Sequence, residues 1–315
     1  MLSRVADNLY WMSRYLERAE HTARLLGLTL TQTIEQTPDA AAPRWERMLA
    51  HTVEPPHDAY HISQALTFDA SNDASIVGCI AAARDNARQV REMISSEMWE
   101  QLNRLYLRVR GTTMEQFWAT EPYDFYQMVK EGAHLFQGIT DGTLSHGEGW
   151  HFIQLGRNIE RAGATARMLD VYFTQHFAAN GEHGQALDYL DWVGLLKSCT
   201  AFEAYCKVYS ADVKPEAIAE FLLLNPEFPR SVRFAADEVQ GSLQAIARVN
   251  GTRNAGRAER LAGRLRSNLD YAQVDEILAD NVHDYLAQVQ RQCAEIHSAI
   301  YQVYISYPVE TVLAQ

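Results

Sequence analysis

The chain has 315 residues, 47% of them hydrophobic, and a formal net charge of −12. This length and composition support a large buried core and exclude a disordered chain. The acidic balance excludes a general nucleic-acid binder, which carries a basic excess.

Apolar residues recurring every three to four positions predict helices at about 3–30, 44–53, 58–66, 73–95, 97–110, 123–144, 148–177, 186–210, 215–224, 230–249, 253–268, 271–279 and 281–305. Nothing alternates with period two between turn signals, so the fold class is all-α, a multi-helix bundle. Proline and glycine fall mostly between the helices, at Pro38, Pro43, Pro55, Pro56, Gly111, Pro122, Pro226, Pro229 and Gly251. The polar stretch 178–185 reads as a loop. Arg4, Asp7, Arg14, Glu17 and Arg18 interrupt the N-terminal apolar residues, and no apolar run is long enough for a membrane span. A cytoplasmic location with no membrane association is the expectation. The four cysteines, Cys79, Cys199, Cys206 and Cys293, form no CxxC pair and no zinc spacing, and read as reduced. Cys199 and Cys206 lie two turns apart on one predicted helix and are expected to share a face.

The first and seventh predicted helices carry one signature. Residues 9–28 (LYWMSRYLERAEHTARLLGL) and 152–171 (FIQLGRNIERAGATARMLDV) are identical at eight of twenty positions. Arg14, Glu17, Arg18, Ala19, Thr22, Ala23, Arg24 and Leu26 match Arg157, Glu160, Arg161, Ala162, Thr165, Ala166, Arg167 and Leu169. Three fainter pairs follow in the same order: Trp45 with Trp192, Ser75-Ile76 with Ser231-Val232, and Asp124 with Asp284. The expectation is a single domain, 1–315, of two divergent halves at about 1–147 and 148–315 that bury their apolar faces against each other.

In the first copy Met12, Leu16, Ala19, Ala23 and Leu26 fall on one side of a helix, and Arg14, Glu17, Arg18, His21 and Arg24 on the other. In the second copy the neighbours turn apolar or small while Arg157, Glu160, Arg161 and Arg167 remain, which predicts charges at least partly buried. Buried charges need partners. Three arginines to one glutamate leave positive charge over, to be met by a carboxylate elsewhere (Glu92, Glu97, Asp85, Glu203 or Asp237) or by a ligand. Two readings stay open: the motifs are salt-bridge anchors, or they line a pocket for an anion, since arginine suits bidentate carboxylate or phosphate capture.

Other constellations are weaker. Glu148-Gly-Trp-His151 has the spacing of a di-iron helix, but no bridging carboxylates can be placed, and no metal or other cofactor is expected. His146 and His151 suit capping or surface roles better than acid–base chemistry. No phosphate-binding loop and no GxSxG elbow occur. The arginines of 248–266 read as an anion site or as a solvated face. Tyr10 and Trp11 read as core or as an interface patch.

The tracts SRYLERAEHTARLL (13–26), ARDNARQVREMISSEMWEQLN (83–103), LGRNIERAGATARML (155–169) and FLLLNPEFPRSVRF (221–234) resemble the bacterial alpha-E domain family, named for its helices and its Glu-Arg motif. The likeness covers essentially the whole chain. It implies association with a circularly permuted ATP-grasp ligase, with a transglutaminase-like peptidase and a proteasome-like Ntn-hydrolase as further partners, in a system that makes, attaches or trims peptides by amide ligation. The family's Glu-Arg signature falls on Glu17–Arg18 and Glu160–Arg161. The expected function is a helical component of such a system. Arg14, Arg18, Arg157 and Arg161 would bind a peptide or amino-acid carboxylate. Glu17 and Glu160 would position them, bind an amine or act as catalytic groups. The alternatives are a stand-alone transferase acting on an acyl phosphate or acyl-tRNA with Glu17 or Glu160 as base, with no nucleic-acid partner other than tRNA expected, and a scaffold for the ligase and peptidase.

Overall fold

The computed structural model describes residues 1–49, 58–119, 122–179, 187–210, 212–251 and 256–305. Among these it holds α-helices and no strand, as the periodicity requires. In chain order they are α1 (Ser3–Thr33), α2 (Pro38–Leu49), α3 (Ala59–Ser63), α4 (Ile76–Gln89), α5 (Ser96–Arg110), α6 (Met114–Ala119), α7 (Pro122–Thr143) and α8 (Glu148–Ala179). There follow α9 (Tyr189–Ser198), α10 (Phe202–Tyr209), α11 (Pro215–Ala219), α12 (Val232–Val249), α13 (Arg257–Asp270), α14 (Val274–Ala279) and α15 (Val282–Ile300). Single π-turns continue α3, α11 and α15 at Gln64–Phe68, Glu220–Leu224 and Tyr301–Ile305.

The centre is the pair α1 and α8. At 31 and 32 residues each runs for about 45 Å, given a rise of 1.5 Å per residue. On α1 the stripe Leu9, Met12, Leu16, Ala19, Ala23 and Leu26 is buried, and on α8 the stripe Phe152, Leu155, Ile159, Ala162, Ala166, Leu169 and Phe173. Both stripes step by three and four residues, as a helix presenting one face to a core must. The two helices meet where Ser13 faces Gly156, which are aligned positions of the signature. A Cβ built on Gly156 would stand 2.2 Å from both the Tyr10 carbonyl oxygen and Ser13 Oγ. Only glycine permits that approach.

The remaining helices sheathe this pair. α1 packs on α4 and α7, with α5 against both of those; α8 packs on α12 and α15, with α13 against both of those. Ser75 caps α4 by accepting from the Gly78 amide, and Ser231 caps α12 by accepting from the Phe234 amide. Trp45 and Trp192, on α2 and α9, are both buried. Core side chains from α1 to α15 form one continuous apolar cluster.

Several boundaries differ from expectation. The predicted helix 186–210 is two helices, because Thr200 takes φ 51° and ends α9. The Ala201 amide then donates back to the Leu196 carbonyl and the Thr200 amide to Lys197, which closes the helix end. Cys199 and Cys206 consequently sit on opposite sides of a break and share no face. All four cysteines are free. The predicted helix 73–95 stops at Gln89, with a short 3₁₀ turn at Arg91–Met93. α2 starts six residues before its predicted start because Pro38 suits a first turn and Pro43 is carried inside. α6 went unpredicted. The loop at 178–185 lies outside the described residues apart from the last turn of α8, as do the end of the helix at 44–53, Pro55–Pro56 and the start of the helix at 253–268.

Candidate functional site

The two Glu-Arg pairs, on α1 and α8, meet each other. Arg18 donates from Nε to Glu160 Oε1 at 2.7 Å and from Nη2 to Oε2 at 3.2 Å. Arg161 donates from Nε to Glu17 Oε1 at 2.7 Å and from Nη2 to Oε2 at 3.1 Å. The same fork closes on the same carboxylate atoms in both, so each Glu-Arg motif supplies the glutamate for the other's arginine. Residues i and i+1 of a helix do not face each other. The motif is therefore satisfied only between helices, and each fork is the strong, bidentate kind of hydrogen-bonded pair.

A second arginine completes each site, and here the two diverge. Glu160 takes Arg14, whose Nε donates to Oε2 at 2.9 Å. Glu17 takes Arg230, whose Nη1 donates to Oε1 at 3.0 Å, and Gln137, whose Nε2 donates to Oε2 at 3.0 Å. Arg157, which matches Arg14, turns instead toward Asp141 at 3.8 Å. The structure thus gathers Arg14, Arg18, Glu17, Glu160 and Arg161 and leaves Arg157 aside. Of the carboxylates proposed as their partners, Asp85 lies beside Arg84 and Arg88, and Asp237 binds Arg266. Glu92, Glu97 and Glu203 enter none of these contacts. The carboxylate that does join is Glu20, fully buried, paired with Arg24 on its own helix and accepting from Arg230 Nη2 at 2.9 Å.

Burial by itself would raise the carboxyl pKa of Glu17, but the Arg161 and Arg230 guanidiniums hold it far below the usual carboxylate range. Burial likewise opposes Arg18 and Arg14 at Glu160, and the arginines again prevail. The imidazoles report the same field. Burial first and then Arg230 push His21 down to about 4. Burial first and then Arg14 push His297 down to about 4. His297 Nδ1 lies 2.9 Å from the Tyr10 hydroxyl and 3.1 Å from Arg14 Nη1, so the neutral ring accepts there. The thiols of Cys199 and Cys293 are pushed up by burial to about 11 and about 12, and rest as thiols, not as thiolate nucleophiles.

These groups line a cavity of about 420 Å³ between α1, α8, α15 and Arg230, within the size range of small-molecule sites. Its cations are Arg14, Arg18, Arg47, Arg161, Arg167 and Arg230, and its carboxylates Glu17 and Glu160. Asp191 answers Arg47 at 3.0 Å from outside the cavity, and Glu20 answers Arg24. Three positive charges stay uncompensated, in a chain whose net charge is −12. Leu25, Leu66, Ile159, Ala164, Met168 and Val171 form apolar walls.

Arg167 departs from the expectation of burial: it is exposed at the cavity. No sequence pattern marks Arg230, Glu20, Gln137 or His297 as neighbours of the motifs. Arg230 was within reach, since it lies in the tract 221–234, but nothing local marks it as the partner of Glu17.

The other candidates take structural places. Glu148 accepts from Asn250 Nδ2 at 3.2 Å, His146 stacks on Trp150, and His151 forms no group of potential metal ligands; no such group exists among the described residues. The arginines around 248–266 disperse, Arg266 to Asp237 and Arg257 to Gln302, with Arg253 outside the described residues. Tyr10 is fully buried and Trp11 stacks on Tyr15 under Arg14, so this cluster is core. No described helix is long and apolar enough to cross a membrane.

Among curated proteins the chain resembles uncharacterized proteins of Mycobacterium bovis and Mycobacterium tuberculosis. It is 23% and 22–23% identical to them over 330 aligned positions that take in 95% of this chain. It spans 36% of those relatives' length. No solved structure matches it. A family described as a predicted alpha-helical domain with a conserved ER motif matches residues 1–305, which takes in both Glu-Arg pairs and every helix named above. The chain belongs to this family, Alpha-E.

Proposed function

We propose that the chain is the substrate-holding component of an amide-ligation system. It receives the carboxylate of an amino acid or peptide between α1 and α8 and presents it to an ATP-grasp ligase. The observation that carries this reading is the surplus of arginine in the cavity. Arg18 and Arg161 each spend Nε and Nη2 on a glutamate and keep Nη1 without a protein acceptor among the described residues. Arg14 and Arg230 stand beside them. Such guanidiniums, already oriented by buried carboxylates, bind an anion without first losing side-chain freedom.

Glu17 and Glu160 act in this reading as positioning residues. A carboxylate held by two arginines is a weak base, because its pKa lies far below working pH. Activation of the acyl group falls to the ligase. A transglutaminase-like peptidase and an Ntn-hydrolase would act before or after it in the same system. The greater length of the mycobacterial relatives, of which this chain spans 36%, leaves room for a second domain in those proteins. We read the chain itself as one domain of two halves, at about 1–147 and 148–315, whose like packing around α1 and α8 is what duplication of one unit produces.

Arg18→Gln tests the proposal, since that side chain is 25% exposed and its loss leaves Glu160 still paired with Arg14. The chain is mixed with an ATP-grasp ligase, ATP and a panel of amino acids, and products are weighed by mass spectrometry. The expected result is an ATP-dependent amide that needs the chain and is lost with Arg18→Gln, while the variant still copurifies with the ligase. An amide formed equally well with the variant, or without the chain, overturns it.

A further inference from the structure

Apart from Arg47, which Asp191 answers, the cavity's cations occupy two levels. At the floor are Arg14, Arg18, Arg161 and Arg230, all tied to Glu17, Glu160 or Glu20. At the mouth is Arg167, which is exposed and has no hydrogen-bond or ion-pair partner among the described residues. The nearest acid along α8, Asp170, is engaged by His283 at 2.6 Å and Gln290 at 3.2 Å. Arg167 matches Arg24 in the other copy of the signature, and Arg24 is buried against Glu20. The position that holds an internal ion pair on α1 therefore holds an unanswered cation on α8.

Arg167 stands seven residues beyond Glu160, two turns on and on the same helix face, so about 10 Å separates the two levels along the axis. Ala164 of that face and Met168 beside it, with Leu25 across from them, give the space between an apolar wall. One carboxylate bound at the floor would leave two of the three surplus charges unmatched and Arg167 untouched.

Resting on the anion-binding reading above, we propose that the ligand is an extended dianion. One carboxylate is held by the floor arginines, the second by Arg167, and a largely apolar or neutral spacer of about 10 Å lies along Ala164 and Met168. An acidic peptide with a terminal and a distal side-chain carboxylate has this chemistry, as does a long α,ω-dicarboxylate. A compact anion such as phosphate or malonate does not.

The test is calorimetric titration of the full chain at low salt with acetate, hexanoate, malonate, glutarate and suberate, and with glutamyl-glutamate to distinguish peptide from simple diacid. Suberate is expected to bind at least about tenfold more tightly than hexanoate, as one added charge-assisted pair gives, with glutarate between them and malonate no better than acetate. Arg167→Gln should bring suberate to the level of hexanoate with no change in the thermal midpoint, since that side chain braces nothing. Equal affinity for hexanoate and suberate, or an Arg167→Gln variant that keeps the preference, overturns the dianion while leaving the floor as an anion site. If none of these carboxylates binds, the anion-binding reading itself fails. Tighter binding of glutamyl-glutamate than of suberate assigns the site to a peptide, and the reverse to a simple diacid.

Discussion

Glu17 and Glu160 occupy matching places in the two signatures, yet they are not equally replaceable. Glu17 is 2% exposed and binds Arg161, Arg230 and Gln137; Glu160 has 14% of its side chain exposed and binds Arg14 and Arg18. Removing the charge at Glu17 strands the Arg161 guanidinium in the interior and leaves Arg230 with Glu20 alone. Glu17→Gln should cost about 3–5 kcal/mol, the usual loss when a buried pair is broken from one side. Glu160→Gln should cost less, because Arg18 can turn to water. Urea unfolding of both variants measures the difference. The same residues set a pH dependence. His21 and His297 have folded pKa values of about 4, below the 6.5 of the unfolded chain. Between those values the unfolded state binds more protons, so stability is full above pH 6.5 and declines as pH falls toward 4. The depressed carboxyls of Glu17 and Glu160 act in the same direction below pH 4.5, where the unfolded glutamates take up protons first. The thermal midpoint should therefore fall on acidification from about pH 6.5, and His297→Gln should flatten the first part of that fall.

At the scale of the helix, what fixes the site is the closeness of α1 to α8, and Gly156 permits it. Gly156→Ala drives a methyl into the Tyr10 carbonyl, a backbone atom that cannot move aside. The loss should exceed about 2 kcal/mol, as overpacking in a rigid place does. Gly241, in the middle of α12, would meet nothing within 4 Å. Gly241→Ala should instead stabilise by about 0.5–1 kcal/mol through helix propensity, and thermal denaturation of the two variants compares them directly. Thr200 offers a third case. It holds φ 51° with a β-branched side chain, a conformation that costs about 1–2 kcal/mol for residues other than glycine. That strained end is also why 186–210 reads as one helix: with no glycine or proline near Thr200, nothing local announces the break. α6 was missed for the opposite reason, being too short for its apolar period to show.

Across the whole molecule, the helical class and the two charged motifs are legible in the sequence because both are local patterns. A 3.6-residue period and a repeated string need no knowledge of distant contacts. The comparison of the two copies also foretold that Glu17, Glu160 and Arg161 are interior, since apolar neighbours surrounded the second set. What could not be read is who meets whom. The pairing of Glu17 with Arg161 spans 144 residues and that with Arg230 spans 213, and ion pairs leave no periodic trace in either segment. The further acids that meet the motif arginines, Glu20 beside Arg24 and Asp141 facing Arg157, are marked by nothing in the local pattern. Arg167 is exposed although its neighbours are apolar, because its copy, Arg24, has Glu20 beside it, whereas Gly163 stands at the corresponding place on α8. The apolar cluster that runs from α1 to α15 then holds the two motifs in register, so that an acidic chain carries its positive surplus inside.

The central claim is that each Glu-Arg motif is completed by the other. Double-mutant cycles in urea test it, pairing Glu17→Gln with Arg161→Gln, Glu160→Gln with Arg18→Gln, and the two within-motif combinations as controls. Between-motif coupling of about 1–3 kcal/mol is expected for each cross pair, with within-motif coupling several-fold smaller. Coupling that is larger within the motifs than between them would contradict the reciprocal arrangement and, with it, the cavity built upon it.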